Sequence, residues 1–351
     1  MAEEHKHAAQ EEHNTDSGHN HSEQDAHAEG GHGGSQEITE DNLFPHMLSQ
    51  LGDHSGFYIW GYKIFDLPKI IIDDSFYFYS SPEAMQEAGV FTEVHHEIVR
   101  TDNHEPPAMD LSPTNLVFFQ WMAMVILLLI FGIVGRKYKK NPKKAPSGFQ
   151  NLIEVLVVFI RDEVVRPNVN SDRASRYLLP YFIGLFFFIL TLNLFGLMPG
   201  GHTATGAIAV TGALAITAYF VINITAIKEA GIGAWFKHLL GGAPWPLAFI
   251  MVPIEIISMF VKPFALTIRL FANMTAGHVV LYSLVGLIFF FTLSSGMTAG
   301  LVIAPISVAF SVFMYVLELL VALLQAYIFT ILTAVFVGLA IGEHAHEDAH
   351  V

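Results

Sequence analysis

The sequence predicts an all-α polytopic membrane protein with a small β-rich extramembrane module near its N-terminus, and three observations predict it. Hydrophobic residues make up 52% of the 351 positions and charged residues only 14%, a balance foreign to ordinary soluble domains. From about Leu116 onward the chain is a series of apolar runs long enough to cross a ~30 Å hydrocarbon core, which takes about 20 helical residues. Before that point the composition is first polar and acidic, then aromatic and β-branched. The 32 acidic against 18 basic residues leave a formal charge of -14, which argues against a nucleic-acid binder. The absence of cysteine removes disulfides, thiolate metal sites and thiol catalysis together.

Residues 1–44 read as a disordered, acidic, His-rich tail. Glu3, Glu4, Glu11, Glu12, Asp16, Asp25 and Glu37 face only Lys6 as an opposing fixed charge, and large apolar residues are almost lacking. His5, His7, His13, His19, His21, His27 and His32 are spaced too irregularly for a defined metal site, although they could bind metal adventitiously or buffer. Residues 45–112 read as a small β-rich extracytoplasmic module. Its short runs, such as Phe57-Tyr58-Ile59-Trp60 and Ile70-Ile71-Ile72, are punctuated by Gly61, Pro68 and Asp73-Asp74.

The membrane domain is expected over residues 113–342. Its first run, Leu116 to Val134, ends in Arg136, Lys137, Lys139, Lys140, Lys143 and Lys144, so the positive-inside bias makes that loop cytoplasmic. The N-terminal region then lies outside. Met1 is followed by charged and polar residues instead of a signal peptide, so this orientation requires a removed presequence, or else it is reversed. The segment from Phe149 to Val165 sets Leu152, Leu156, Phe159 and Ile160 apart from Glu154, Arg161 and Asp162 and is expected to lie on the surface as an amphipathic helix. The runs Tyr177 to Leu197 and Ala207 to Ile227 form a hairpin about Met198-Pro199-Gly200-Gly201, and Lys228 marks the return to the cytoplasm. Two blocks, Trp245 to Leu293 and Thr298 to Ile341, exceed one perpendicular span, so each is tilted and broken or hides a further span. An acidic, His-rich tail over residues 343–351 closes the chain.

Polar residues inside the last two blocks are the candidate site. An arginine stays charged in a protein and costs at least ~2.5 to 3.5 kcal/mol near the middle of a membrane segment. Arg269 is such a residue, far from any end to which it could snorkel. Glu255, Lys262 and Arg269 recur every seventh position, and Asn273 follows one turn later, so one helix face carries a polar stripe. Pro263 removes a backbone donor and is expected to bend the helix before the arginine. His278, nine positions beyond Arg269, falls on the opposite side. In the last block Ser311, Glu318 and Gln325 are again seven apart, with Tyr315 beside them. A buried glutamate needs a partner, and His278 on the facing arm of the hairpin is the natural one, for proton relay or for structure alone. Gln325 can serve equally as an interhelical hydrogen-bonding group.

The run Thr267-Ile268-Arg269-Leu270-Phe271-Ala272-Asn273-Met274-Thr275-Ala276-Gly277-His278, placed after Lys262-Pro263, resembles the signature of subunit a of the F-type ATP synthase. Leu324-Gln325-Ala326-Tyr327-Ile328-Phe329-Thr330 is similar to its second signature, and Asn193-Leu194-Phe195-Gly196-Leu197-Met198-Pro199 to its hairpin corner. The three stand in order within about Ser112 to Gly342. The resemblance implies a non-catalytic bacterial stator subunit beside a rotating c-ring, with peripheral-stalk b subunits, other Fo and F1 subunits and lipid as partners, and with no cofactor and no metal. It implies five membrane crossings plus the surface helix, the last two helices long and steeply tilted, in the cell inner membrane with the N-terminus outside and the C-terminus inside.

Carried over residue by residue, Arg269 matches the essential arginine between two half-channels and Asn273 the asparagine one turn on. Gln325 matches the glutamine that faces the arginine from the last helix. His278 and Glu318 match the outer half-channel pair with acid and imidazole exchanged relative to some members, and Glu255 matches an acidic position of the inner half-channel. The N-terminal region before Ser112 departs from the shorter members. No phosphate-cradling G-x-x-x-x-G-K-[ST] loop is present, so the chain makes no ATP itself. The rival classes are a secondary ion or metal transporter, which predicts an internal repeat that the chain does not show, and a membrane-anchored adhesion protein working through its N-terminal module.

Overall fold

The computed structural model describes residues 56–59, 62–94, 97–140, 142, 145–169, 171–198, 204–233, 235 and 247–347. The expected tail over residues 1–44 lies outside the described residues, as do residues 348–351. Among the described residues the β-rich region forms three small antiparallel sheets. Strands β1 (Gly56–Ile59) and β2 (Tyr62–Asp66) form one hairpin, and β3 (Lys69–Ile72) and β4 (Phe76–Tyr79) another, with the turn at Asp73-Asp74-Ser75. A short helix α1 (Pro82–Glu87) follows, its first turn closed by the Ser81 hydroxyl, which accepts from the Ala84 N–H at 3.1 Å. Strands β5 (Phe91–Val94) and β6 (Glu97–Arg100) pair together, and β7 (Met109–Asp110) adds to the free edge of β3.

Alternation along β3 buries Ile71 and leaves Ile72 exposed, so Ile71, Met85, Phe91 and Ile98 make a miniature core, with Tyr77 and Tyr79 packed against it. So small a core needs help. Arg100, ending β6, reaches the β3–β4 turn and meets Asp73 at 2.5 Å and Asp74 at 3.6 Å. The hydrogen bond from Arg100 holds the Asp73 carboxyl below its ordinary pKa. The sign follows: a carboxylate with a lowered folded pKa adds stability above the ordinary value of about 3.9, and that stability is lost as pH falls through the lowered value. Protection factors of β3, β4 and β6 amides in the full-length protein, with exchange corrected for its intrinsic pH dependence, should therefore fall from pH 5 down toward about 3. Asp73→Asn should flatten the dependence; an unchanged slope would show that the pair carries none of it.

The module is tied to the first membrane helix, α2 (Asn115–Lys140). The Ile70 N–H donates to the Ser112 hydroxyl at 3.0 Å, and the Phe65 ring meets Phe118 edge to face at 5.3 Å. Helix α3 (Phe149–Phe159) is the expected surface segment and runs on as a π-helical turn, Ile160–Val165, then a helical turn Arg166–Asn168. Its apolar residues divide between two directions: Ile153, Ile160 and Val164 are buried, whereas Phe149, Leu152 and Val155 are exposed. The segment is apolar on more than one side, so one face packs on protein and another is left for lipid.

Helices α4 (Asp172–Leu197) and α5 (Ile208–Ala230) were expected to form a hairpin; instead of packing closely on each other, both pack on the last helix, and the Ser171 hydroxyl at the start of α4 donates to Glu229 near the end of α5 at 3.0 Å. The last two helices, α6 (Ala248–Ser295) and α7 (Met297–Glu347), run 48 and 51 residues. Among the described residues five helices, α2 and α4 to α7, are long and apolar enough to cross a membrane. Neither long block hides an additional span, and α6 continues unbroken through Pro253 and Pro263. At 1.5 Å per residue α6 is about 72 Å long. A helix more than twice the ~30 Å hydrocarbon thickness cannot lie along the normal and stay inside it. Where a separate C-terminal tail was expected from residue 343, the α7 backbone stays helical to Glu347.

The membrane core lies where α4, α6 and α7 meet. Phe182 and Phe186 of α4, Leu266, Leu270 and Met274 of α6, and Ala326, Phe329 and Ala334 of α7 are all buried. Lipid tails are as apolar as these side chains, so close packing and interhelical polar contacts hold the bundle, and small residues permit the approach. Gly338 shows this at the far end of α7, where the Asn168 carbonyl occupies the space that a Cβ would need.

Candidate functional site

The buried face of α6 is set by its spacing. Leu266, Leu270, Met274 and His278 follow one another by four and turn toward α4 and α7. Arg269 lies about 100° from Leu270 and is exposed, as are Ile268, Ala272 and Asn273. The helix therefore sends its imidazole inward and its guanidinium outward. Among the described residues Arg269 makes no hydrogen bond and no ion pair with its own chain.

The sequence-predicted pair is brought together: His278 Nδ1 lies 2.7 Å from Glu318 Oε1, with the histidine 8% and the glutamate 4% exposed. The room comes from Gly277, where a Cβ would stand 2.6 Å from that same oxygen. His278 Nε2 lies 3.0 Å from the Gly196 carbonyl, and Nδ1 also lies 3.0 Å from the Met274 carbonyl. Carbonyl oxygens only accept, so Nε2 carries a hydrogen and donates to Gly196. One proton remains to be shared between Nδ1 and the carboxyl: imidazolium beside carboxylate, or imidazole beside carboxylic acid. The two states differ by the position of one proton, and only the first leaves on Nδ1 the hydrogen that a bond to the Met274 carbonyl needs.

Sequence reasoning missed the part played by the α4–α5 corner. The last four carbonyls of a helix have no partner within it, and α4 ends at Leu197. The Gly196 carbonyl faces His278, and the Leu197 carbonyl accepts from the Tyr315 hydroxyl at 2.7 Å. Asn193 Nδ2 donates to the Ala322 carbonyl of α7 at 3.0 Å and its Oδ1 accepts from the Thr205 hydroxyl at 2.8 Å. The corner is thus the acceptor wall of the site. The signal was present in the sequence as the end of an apolar run followed by Pro199-Gly200, but which donors it meets is decided across helices.

Asn273 Nδ2 donates to Gln325 Oε1 at 2.9 Å. Gln325, 1% exposed, is thereby joined to the residue one turn beyond Arg269; among the described residues no bond joins it to the arginine itself. Ser311 Oγ is buried without a hydrogen-bonding partner among the described residues, so its place on the stripe is not used for a contact. On the other side of Arg269, Pro263 cannot supply the N–H that the Met259 carbonyl would otherwise receive. That turn borders a cavity of about 40 Å³ lined also by Lys262, Asn223 and Trp235, room for a water molecule. Trp235 Nε1 donates to Asn223 Oδ1 at 3.1 Å, and Lys262 Nζ lies over the Phe336 ring at 5.8 Å. Glu255, two turns earlier on α6, is half-buried. The polar residues of α6 thus fall into two groups, one by the α4–α5 corner and one by the C-terminal half of α5. Arg269 stands between them, roughly 14 Å and 10 Å along the axis from His278 and Lys262.

The family described as ATP synthase A chain matches residues 117–338 of this chain. A protein named ATP synthase subunit a from Chloroherpeton thalassium is 48% identical over 252 residues, which is 72% of this chain and 73% of that protein. Its namesake from Chlorobium phaeobacteroides is 46% identical over 239 residues, 68% of each chain. ATP synthase subunit a 2 from Prosthecochloris aestuarii is 46% identical over 239 residues, 68% of this chain and 71% of that one.

Proposed function

The chain belongs to the ATP synthase A chain family, and from that membership we propose that it conducts protons through two half-channels separated by Arg269, to and from carboxylates on a rotating c-ring. It is a multi-pass membrane subunit of the proton-translocating sector, and the ATP chemistry is on other subunits. The observation that carries the finer reading is Arg269 itself: a permanent cation in mid-helix, exposed within a long apolar segment and without an anionic partner among the described residues. Such a charge is tolerable in a membrane only if something outside this chain answers it, and a rotor carboxylate has the matching sign and chemistry.

The outer half-channel is built on His278, Glu318 and the α4–α5 corner, with Asn273 and Gln325 at its inner end. The inner half-channel follows the cavity beside Lys262 toward Glu255. Arg269 favours the ionised form of a carboxylate brought past it, so the rotor site releases its proton on one side before crossing and takes one up on the other. The same charge repels free protons and blocks a direct leak. A proton crossing 100 mV yields ~2.3 kcal/mol, so rotation must accumulate several for each ATP. The basic end of α2 supports an orientation with the C-terminus in the cytoplasm of a bacterial cell and the β-rich module outside, with b subunits and the remaining Fo and F1 subunits assembled around the stator.

The test uses the absence of cysteine in the native chain. Ala272→Cys, on the exposed face beside Arg269, is combined in the assembled complex with a cysteine one turn from the rotor carboxylate. Oxidation should join the two subunits, and a control pair on the buried face should not join. Failure of the Ala272→Cys pair, with the complex intact, would remove the rotor from this face.

A further inference from the structure

A cleft of about 590 Å³ opens between α2, α3 with its π-helical turn, and α4, and no residue of α6 or α7 lines it. Its floor is apolar: Phe131, Val134, Ile153 and Ile183 contribute, and Gly135 and Gly184 leave open space where a Cβ would meet nothing within 4 Å. Its polar residues are Tyr138, Glu154 and Arg161. The Tyr138 hydroxyl donates to Glu154 and so occupies the lone acid of the lining. Arg161 belongs to the π-helical turn, a distortion that re-aims the side chains that follow it. It forks onto Asp162 with two bonds of 2.8 Å, which orients its guanidinium and leaves other N–H groups unused by that contact.

One turn beyond Gly135, on the same α2 face, stands exposed Lys139, flanked by exposed Arg136, Lys137 and Lys140. The cleft therefore has an apolar floor, open at Gly135 and Gly184, that adjoins the basic end of α2. We propose that it is a binding site for one membrane phospholipid, with an acyl chain lying along Phe131, Ile153 and Ile183 and the phosphate met by Arg161 and Lys139. Charge complementarity is what selects this occupant. A transmembrane peptide helix would leave the basic end of α2 without an anion, whereas a phosphodiester on two apolar tails satisfies both parts at once, and basic recesses between membrane helices suit anionic headgroups. Helix α3 borders the cleft through Ile153 and Glu154, and its exposed Phe149, Leu152 and Val155 are apolar surface suited to lipid.

The experiment places a single cysteine at the floor, Gly184→Cys, carrying a photoreactive label, in the purified complete complex returned to vesicles of phosphatidylglycerol and phosphatidylcholine and then washed extensively with detergent. Leu128→Cys, 68% exposed on α2, reports annular lipid. Photolysis of the Gly184→Cys complex should yield a chain heavier by one phospholipid, several-fold more than at Leu128→Cys. Arg161→Gln with Lys139→Gln should bring it down to the Leu128→Cys level while leaving assembly intact. Adducts to another subunit would overturn the proposal in favour of a protein occupant. Lipid adducts equal at the two cysteines, or unaffected by removing the two charges, would overturn it in favour of bulk lipid.

Discussion

Replacing Arg269 with alanine should abolish ATP-driven proton pumping by the reconstituted complex while leaving the complex assembled, and should raise passive proton leak through the membrane sector. Arg269 is exposed and contributes no bond to its own chain among the described residues, so its loss should not unfold α6; the neighbouring core residues Leu266, Leu270 and Met274 are untouched. What disappears is the one fixed charge between the two polar groups. Loss of a preorganised charge of this kind costs about 10² to 10³ in rate, which in a pumping assay is complete loss. Arg269→Lys should restore little, because an ammonium can give up its proton when buried and cannot fork onto a carboxylate. Pumping retained at near wild-type level by Arg269→Ala would sink the proposed mechanism, and absence of leak would show that the half-channels do not meet at this point.

The second large effect concerns His278 and Glu318. Glu318→Gln keeps the size of the side chain but removes the acceptor for the shared proton, and pumping should fall by roughly 10²-fold, the scale of a lost acid–base group. The exchange His278→Glu with Glu318→His retains one acid and one imidazole at the same contact. It should recover a substantial part of the rate that either single change destroys. Gly277→Val serves as a geometric control: its side chain would enter the space held by the Glu318 carboxylate, 2.6 Å from where a Cβ would stand. Pumping should fall although both titrating groups remain. Rates are read against pH in inverted vesicles. If the double exchange were no better than the single variants, the pair would be a structural hydrogen bond and not a relay.

Much of this protein was legible along one dimension. The length of an apolar run decides whether it spans, because the hydrocarbon thickness and the helical rise are both constants. The five crossing helices, the surface segment at Phe149 and the small strands between Gly56 and Asp110 follow from run length, turn residues and composition. Period alone was enough to set Arg269 and His278 on opposite sides of α6, since rotation per residue is a property of the helix itself. The ordered motifs around Asn193, Arg269 and Gln325 were enough to reach the family.

What the tertiary structure decided are the partners across helices. That Gln325 takes Asn273, that Gly277 makes space for Glu318, and that the terminal carbonyls of α4 receive His278 and Tyr315 depend on the relative rotation and sliding of separate helices. Those two quantities are set by the fit of Phe182, Leu270, Ala326 and their neighbours, through many small contacts summed over residues far apart in the chain. The cleft above α3 was hidden for the same reason: it is a gap between three elements, and a gap has no residue of its own.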